Sequence, residues 1–272
     1  MQVGVFAKTF PGSEPTGVLA AVRDAGFAAA QFNLACAGLP SMPDAVPDSA
    51  IVAIGAAAKA TGIGLVALSG TYNMAHPDSR MREDGLGRLA VVIETAARLS
   101  IPLVTLCTGT RNAEDQWAHH PDNADPSAWA DMAREMEKAL RLAERHGIDL
   151  GIEPEQANIV TSAEDAMQLI GEMGSKRLRI VLDPANLFER ANAEQARSIV
   201  AEAVERAAGH VSLAHAKDRF ADGHFATAGQ GVVDFADFIA RLKATGFDGP
   251  LVTHGLSARE APGVARLLKE LV

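Results

Sequence analysis

The sequence predicts a single-domain α/β protein, a (β/α)8 TIM barrel, on three observations. Its 272 residues suit one large domain and fall short of two full ones. A unit of short apolar run, polar loop, amphipathic helix and glycine recurs along the whole chain, about every 34 residues. The first run leads into Phe6-Ala7-Lys8-Thr9-Phe10-Pro11, which lacks the glycine-rich phosphate turn that opens a doubly wound sheet. Eight parallel strands separated by helices close naturally into a barrel, so 1–272 is expected to form one barrel domain.

Apolar and β-branched runs place the strands at Val3–Ala7, Ala28–Asn33, Gly64–Ser69, Leu103–Cys107, Asp149–Glu153, Arg179–Asp183, His210–His215 and Pro250–His254. Apolar residues recurring at i, i+3 and i+4 place helices at roughly 13–25, 48–61, 81–99, 127–146, 161–173, 191–208, 234–245 and 258–271. Gly26, Gly62, Gly147 and Gly246 stand where a helix end needs a positive φ. Ser13 with Pro15, Asp125 before Pro126, and Thr161 with Glu164 read as helix starts. Two connections exceed what a plain barrel needs, from Leu34 to Pro47 and from Thr108 to Pro126. Both follow strands, so both are expected at the catalytic face as lids or substrate walls.

Composition narrows the function. Hydrophobic residues make up 48% of the chain, enough for a sizeable core, and the formal charge of −9 lacks the basic stripe a nucleic-acid partner requires. Cys36 and Cys107 are the only cysteines, which suggests no disulfide framework and a reducing compartment. The N-terminal MQVGVFAKTF lacks the apolar core and cleavage site of a secretory signal, and no apolar run is long enough for a bilayer. The expectation is a cytoplasmic protein with no membrane partner.

Working residues in this architecture sit at the C-terminal ends of strands. Four successive predicted strands end in Glu153, Asp183, His215 and His254. One charged residue at a strand end is commonly a cap or an ion-pair partner. Four in register after apolar strands instead point to one divalent metal ion, with Mn²⁺, Zn²⁺, Co²⁺, Fe²⁺ and Mg²⁺ all compatible. Lys217 lies two residues beyond His215, so alternation turns it to the same side. It is expected to bind a substrate hydroxyl, carboxylate or phosphate, the plainer alternative being a surface lysine paired with Asp218. Asn186 and Glu155 follow Asp183 and Glu153 closely and are expected to touch substrate or support the ligands.

Ile152-Glu153-Pro154, Leu182-Asp183-Pro184-Ala185-Asn186, His215-Ala216-Lys217-Asp218 and Gly229-Gln230-Gly231-Val232-Val233-Asp234 resemble, in order, the motifs of the sugar phosphate isomerase/epimerase family of xylose isomerase-like barrels. The resemblance spans nearly the whole barrel. It implies isomerase or epimerase activity on a small sugar, sugar acid or sugar phosphate, a metal held by Glu153, Asp183 and His215, a fourth ligand from the last strand, and a homodimer or homotetramer. The chain departs from the pattern at His254, where epimerases with two carboxylates in proton relay carry Glu. The relay therefore does not carry over as a pair of glutamates. The expected catalytic residues are Glu153, His254 and Lys217. Glu153 or His254 takes a proton beside the carbonyl, an enediolate-type intermediate forms, and the other group or a bound hydroxyl returns the proton.

In the first half, Lys8, Gln31, Asn33, Ser69 and Asn73 fall at or just after strands and are expected to hydrogen-bond sugar hydroxyls. Gly109, in Cys107-Thr108-Gly109-Thr110-Arg111, would let backbone N–H groups approach an anion, with Arg111 the expected partner of a phosphate or carboxylate. Trp117 is expected either to stack on a sugar face or to pack within its own loop. Cys107 is expected to pack, and His76 and His146 to be structural.

Two other enzyme classes share such sites. A metal-dependent lyase or dehydratase acting on a polyol would use the same metal-stabilised enolate. Metal-dependent endonucleases acting at abasic sites are similar at Tyr72–Pro77 and at Asp222-Gly223-His224, but Asn186, Ser69 and Cys107 stand where a trinuclear zinc cluster needs other ligands. A non-catalytic binding barrel would hold no metal.

Overall fold

Eight parallel strands hydrogen-bond side by side, and the last closes onto the first, in a computed structural model that describes residues 1–272. They are β1 (Gln2–Phe6), β2 (Ala29–Phe32), β3 (Gly64–Ser69), β4 (Leu103–Leu106), β5 (Asp149–Ile152), β6 (Leu178–Leu182), β7 (Val211–Ala216) and, after a short antiparallel hairpin of β8 (Asp218–Arg219) and β9 (Phe225–Ala226), β10 (Pro250–Thr253). β10 pairs β1 in the register Val3 with Leu251 and Gly4 with Val252. The predicted (β/α)8 barrel is the fold observed.

Eight helices surround the barrel: α1 (Pro15–Asp24), α2 (Asp48–Thr61), α3 (Ser79–Arg98), α4 (Pro126–His146), α5 (Ala163–Met173), α6 (Ala193–Arg206), α7 (Phe235–Ala244) and α8 (Ala261–Leu271). Each buries an apolar face, such as Val264, Ala265 and Leu268 of α8. Gly26, Gly62, Gly147 and Gly246 all have positive φ, as the sequence predicts. Two starts differ from expectation. Glu14, not Ser13, caps α1, because its longer carboxylate reaches the N–H groups of Thr16 and Gly17. The capping box of α5 is Ser162 with Asp165, one residue beyond Thr161 and Glu164, and Thr161 Oγ1 donates to the same Asp165 carboxylate.

Inside the barrel, Ala67, Leu103, Val181, Leu213 and Val252 pack into one apolar layer. Glycine completes it where space runs out. A Cβ on Gly151 would lie 2.7 Å from Val181 Cγ2, and one on Gly4 would lie 2.9 Å from the Ala29 carbonyl oxygen. Small residues on β1, β2 and β5 thus offset large ones on β4, β6, β7 and β10. No helix is long and apolar enough to cross a membrane.

Candidate metal centre and substrate cavity

The site is the polar layer above the apolar one. Side chains alternate along a strand, so a step of two residues from each inward apolar position reaches the next inward position. Those positions carry Phe6, Gln31, Ser69, Thr105, Glu153, Asp183, His215 and His254. A further step carries Lys8, Asn33, Thr71, Cys107, Glu155 and Lys217. All of these except Asp183, which is wholly buried, line one cavity of about 600 Å³. Ser41 and Met42 from the loop after β2, and Gln116 and Trp117 from the loop after β4, add to its wall. Both long connections therefore do reach the catalytic face.

Glu153, Asp183, His215 and His254 converge as predicted, with one donor atom of each within 4.8 Å of the others. His215 sits within β7, whereas Glu153, Asp183 and His254 each fall one residue past their strands, where the ladder ends. His254 Nε2 lies 2.9 Å from Asp183 Oδ2, His215 Nδ1 lies 3.2 Å from Glu153 Oε1, and the imidazole centroids are 4.4 Å apart. On its far side, His215 Nε2 donates to Gln31 Oε1 at 2.8 Å. The Gln31 amide nitrogen donates in turn to Thr105 Oγ1 at 3.2 Å and Ser69 Oγ at 3.4 Å. This contact leaves the Nδ1 lone pair facing the carboxylates. Acceptor facing acceptor in a buried site needs a proton or a cation between them. Two carboxylates and two imidazoles so arranged fit a divalent transition ion.

The electrostatics agree. Burial opposes ionisation of Glu153, but with a proton between the two groups His215 is charged and donates through Nδ1 to Glu153, which outweighs burial and holds the carboxyl below its usual range. Burial likewise opposes the Asp183 carboxylate, yet Lys217 and His254 hold it well below the usual range. Burial would lower His215, but Glu153 and Asp183 raise it. His254 is lowered by burial and by the charge of His215. Burial and the Glu153 charge push the Glu155 carboxyl up to about 7.

Lys217 is buried and lines the cavity, which overturns the surface alternative. Its Nζ donates to Asn186 Oδ1 at 2.7 Å, lies 3.5 Å from Asp183 Oδ2, and stands 3.8 Å from the Phe225 ring centroid. Asn186 also donates through Nδ2 to Glu153 Oε1 at 2.7 Å, so it ties ligand to lysine while lining the cavity. Asp218 turns away from Lys217. It accepts N–H bonds from Arg219, Gly229, Gly231 and Val233, which explains the spacing of His215-Ala216-Lys217-Asp218 and the Gly229–Val233 motif.

Several expectations need correction. Arg111 does not face the cavity, because Asp131 on α4 draws its guanidinium outward in a 2.8 Å ion pair, and it also donates to the Ala75 carbonyl. Asn73 does not face it either. Its Oδ1 accepts from Thr110 N and Ala75 N, and its Nδ2 donates to the Asn112 carbonyl, which fastens two loops together. The N–H groups around Gly109 are no anion site, since Asn158, Asn73 and Asn123 side chains occupy them. Lys8, Glu155 and Trp117 line the cavity, Trp117 at its rim and 53% exposed. His224 pairs with Asp222 at the surface, its side chain 84% exposed, and contributes no ligand. Cys107 is buried and burial raises its thiol, which suits a packing role. Phe6, Thr105, Ser41, Met42, Gln116 and Phe225 are lining residues the sequence reading missed. Strand alternation carries the signal for the first two.

The chain belongs to the xylose isomerase-like TIM barrel family, whose model matches residues 19–271. No curated protein sequence matches it significantly. Among solved structures it is similar to a D-tagatose 3-epimerase-like protein, with 18% identity over 100% of this chain and 97% of that one, at a TM-score of 0.78. It is also similar to the 3-keto-D-glucoside 4-epimerase of E. coli, with 18% identity over 98% and 99% of the two chains and a TM-score of 0.76. A third is D-psicose 3-epimerase with D-tagatose from Clostridium cellulolyticum H10, with 15% identity over 100% and 99% and a TM-score of 0.76. At these identities the likeness is one of fold.

Proposed function

We propose that this protein is a metal-dependent isomerase or epimerase of a small sugar-like substrate. The observation that carries the reading is the convergence of Glu153, Asp183, His215 and His254 at the cavity floor. The activities of similar barrels, epimerases of ketoses and of a ketoglucoside, support the same chemistry.

A divalent ion held by these four groups would supply Lewis-acid polarisation of a substrate carbonyl. The chain's own residues do the remainder. Glu153, kept ionised beside His215 and oriented by Asn186, takes the proton from the carbon next to the carbonyl. His254 serves as the second proton carrier. Lys217 holds Asn186 and Asp183 in place and keeps positive charge beside the reacting centre. The hydroxyl and amide groups of Asn33, Ser41, Ser69 and Thr71 line the wall as partners for sugar hydroxyls.

The test is incubation of Mn²⁺-loaded protein with a panel of D-fructose, D-tagatose and D-glucuronate in D₂O, followed by NMR. Solvent deuterium at the carbon beside the carbonyl of an isomerised or epimerised product is expected. Loss of water from the substrate would reassign the barrel to a dehydratase. Turnover with no deuterium would contradict proton abstraction and point to a hydride shift.

A further inference from the structure

Barrels of this kind commonly bind substrate phosphates on backbone N–H groups of the loops after the last two strands. Here those groups are already taken by internal side chains. After β7, the carboxylate of Asp218 accepts from the N–H groups of Gly229 and Gly231 through Oδ2 and from Val233 through Oδ1. After β10, Glu260 accepts from Ser257 N at 2.9 Å and from the hydroxyls of Ser257 and Thr227. The loop after β4 is filled in the same way by Asn73, Asn123 and Asn158. A phosphate entering any of the three would displace an internal oxygen acceptor, and in two of them would meet a carboxylate. Arg111 is committed to Asp131, and Arg219, which lies over the Phe225 ring, donates to the Glu189 carbonyl.

Of the two lysines that line the cavity, one remains uncommitted. Lys8 lines the cavity, is exposed, and its ammonium makes no hydrogen bond or ion pair within the protein. It stands two residues beyond Phe6, in the 3-10 turn Ala7–Thr9 that follows β1. A point charge without a fan of N–H donors suits a monoanion such as a carboxylate better than a phosphate dianion. The charge balance points the same way. With a dication held by the four donors, Glu153, Glu155 and Asp183 would face Lys8, Lys217 and that ion, three negative charges against four positive.

Resting on the metal-dependent isomerase/epimerase reading, we infer that the substrate is an unphosphorylated sugar acid whose carboxylate is bound by Lys8 at the cavity mouth. Lys8 is then the residue that separates sugar acids from neutral sugars and from sugar phosphates.

Calorimetric titration of Mn²⁺-loaded protein with D-glucuronate, which carries both a reducing carbonyl and a carboxylate, D-fructose and D-fructose 6-phosphate tests this. D-glucuronate is expected to bind at least about tenfold more tightly than the other two. In Lys8→Met, its affinity falls about tenfold while the affinity for Mn²⁺ is unchanged. Tightest binding of D-fructose 6-phosphate, or equal glucuronate affinity in wild type and Lys8→Met, overturns the inference. Binding of D-fructose alone overturns it while leaving the isomerase reading standing. If none of the three binds, both fall.

Discussion

Gln31 Oε1 lies 2.8 Å from His215 Nε2, and this one contact decides which face of the imidazole meets the metal donors. The bond fixes the proton on Nε2 and leaves Nδ1 for the cluster 3.2 Å from Glu153 Oε1. Replacing Gln31 by Leu frees the ring to turn or to exchange tautomers. Affinity for Mn²⁺ is expected to fall roughly 10- to 100-fold, measured by competition with a chelating indicator. Gln31→Glu, which keeps an acceptor at the same place, should restore most of it.

Arg111 gives a prediction with the opposite pattern. Its ion pair with Asp131 is largely screened from solvent, with side-chain exposures of 10% and 17%. Arg111→Met should lower stability by about 1–3 kcal/mol in urea denaturation while leaving KM for substrate unchanged. A raised KM at unchanged stability would return Arg111 to the cavity.

Much of this site was legible in the sequence because a barrel strand repeats every two residues and its C-terminal end is the catalytic end. Knowing the ends of four strands was enough to find Glu153, Asp183, His215 and His254. The same step of two places Lys217 beside His215, and extended to every strand it would also have found Phe6 and Thr105. Arg111 and Asn73 escaped this logic. They lie beyond their strands, where partners decide direction, and the partners come from a helix and a loop that no local pattern links to them. Phe225 was invisible for a related reason. It reaches Lys217 only because β8 and β9 fold back as a hairpin over the barrel mouth.

Glu260 carries a pH prediction. Hydrogen bonds from Ser257 and Thr227 hold its carboxyl at about 2, well below the ordinary glutamate value. A folded-state pKa below the unfolded one stabilises the protein above the unfolded pKa, and that contribution is lost as pH falls through the folded value. Glu260→Gln should therefore be less stable than wild type at neutral pH, with the difference closing between about pH 4.5 and 2. Thermal midpoints of the two proteins across that range test the sign. A gap that widens on acidification would contradict it.

Gly151 tests the packing beneath the site. A methyl group there meets Val181 Cγ2 at 2.7 Å and Leu103 Cδ1 at 3.1 Å inside a closed barrel that has little room to yield. Gly151→Ala should cost about 1–3 kcal/mol in chemical denaturation, and because Glu153 is two residues further on, it should also weaken Mn²⁺ binding.

The most direct measurement of the central claim is metal stoichiometry by equilibrium dialysis against Mn²⁺. Wild type is expected to hold one ion per chain, and Asp183→Asn and His254→Ala each to lose most of that affinity. Absence of binding in the wild type, or binding that survives both substitutions, would contradict a metal centre built from Glu153, Asp183, His215 and His254.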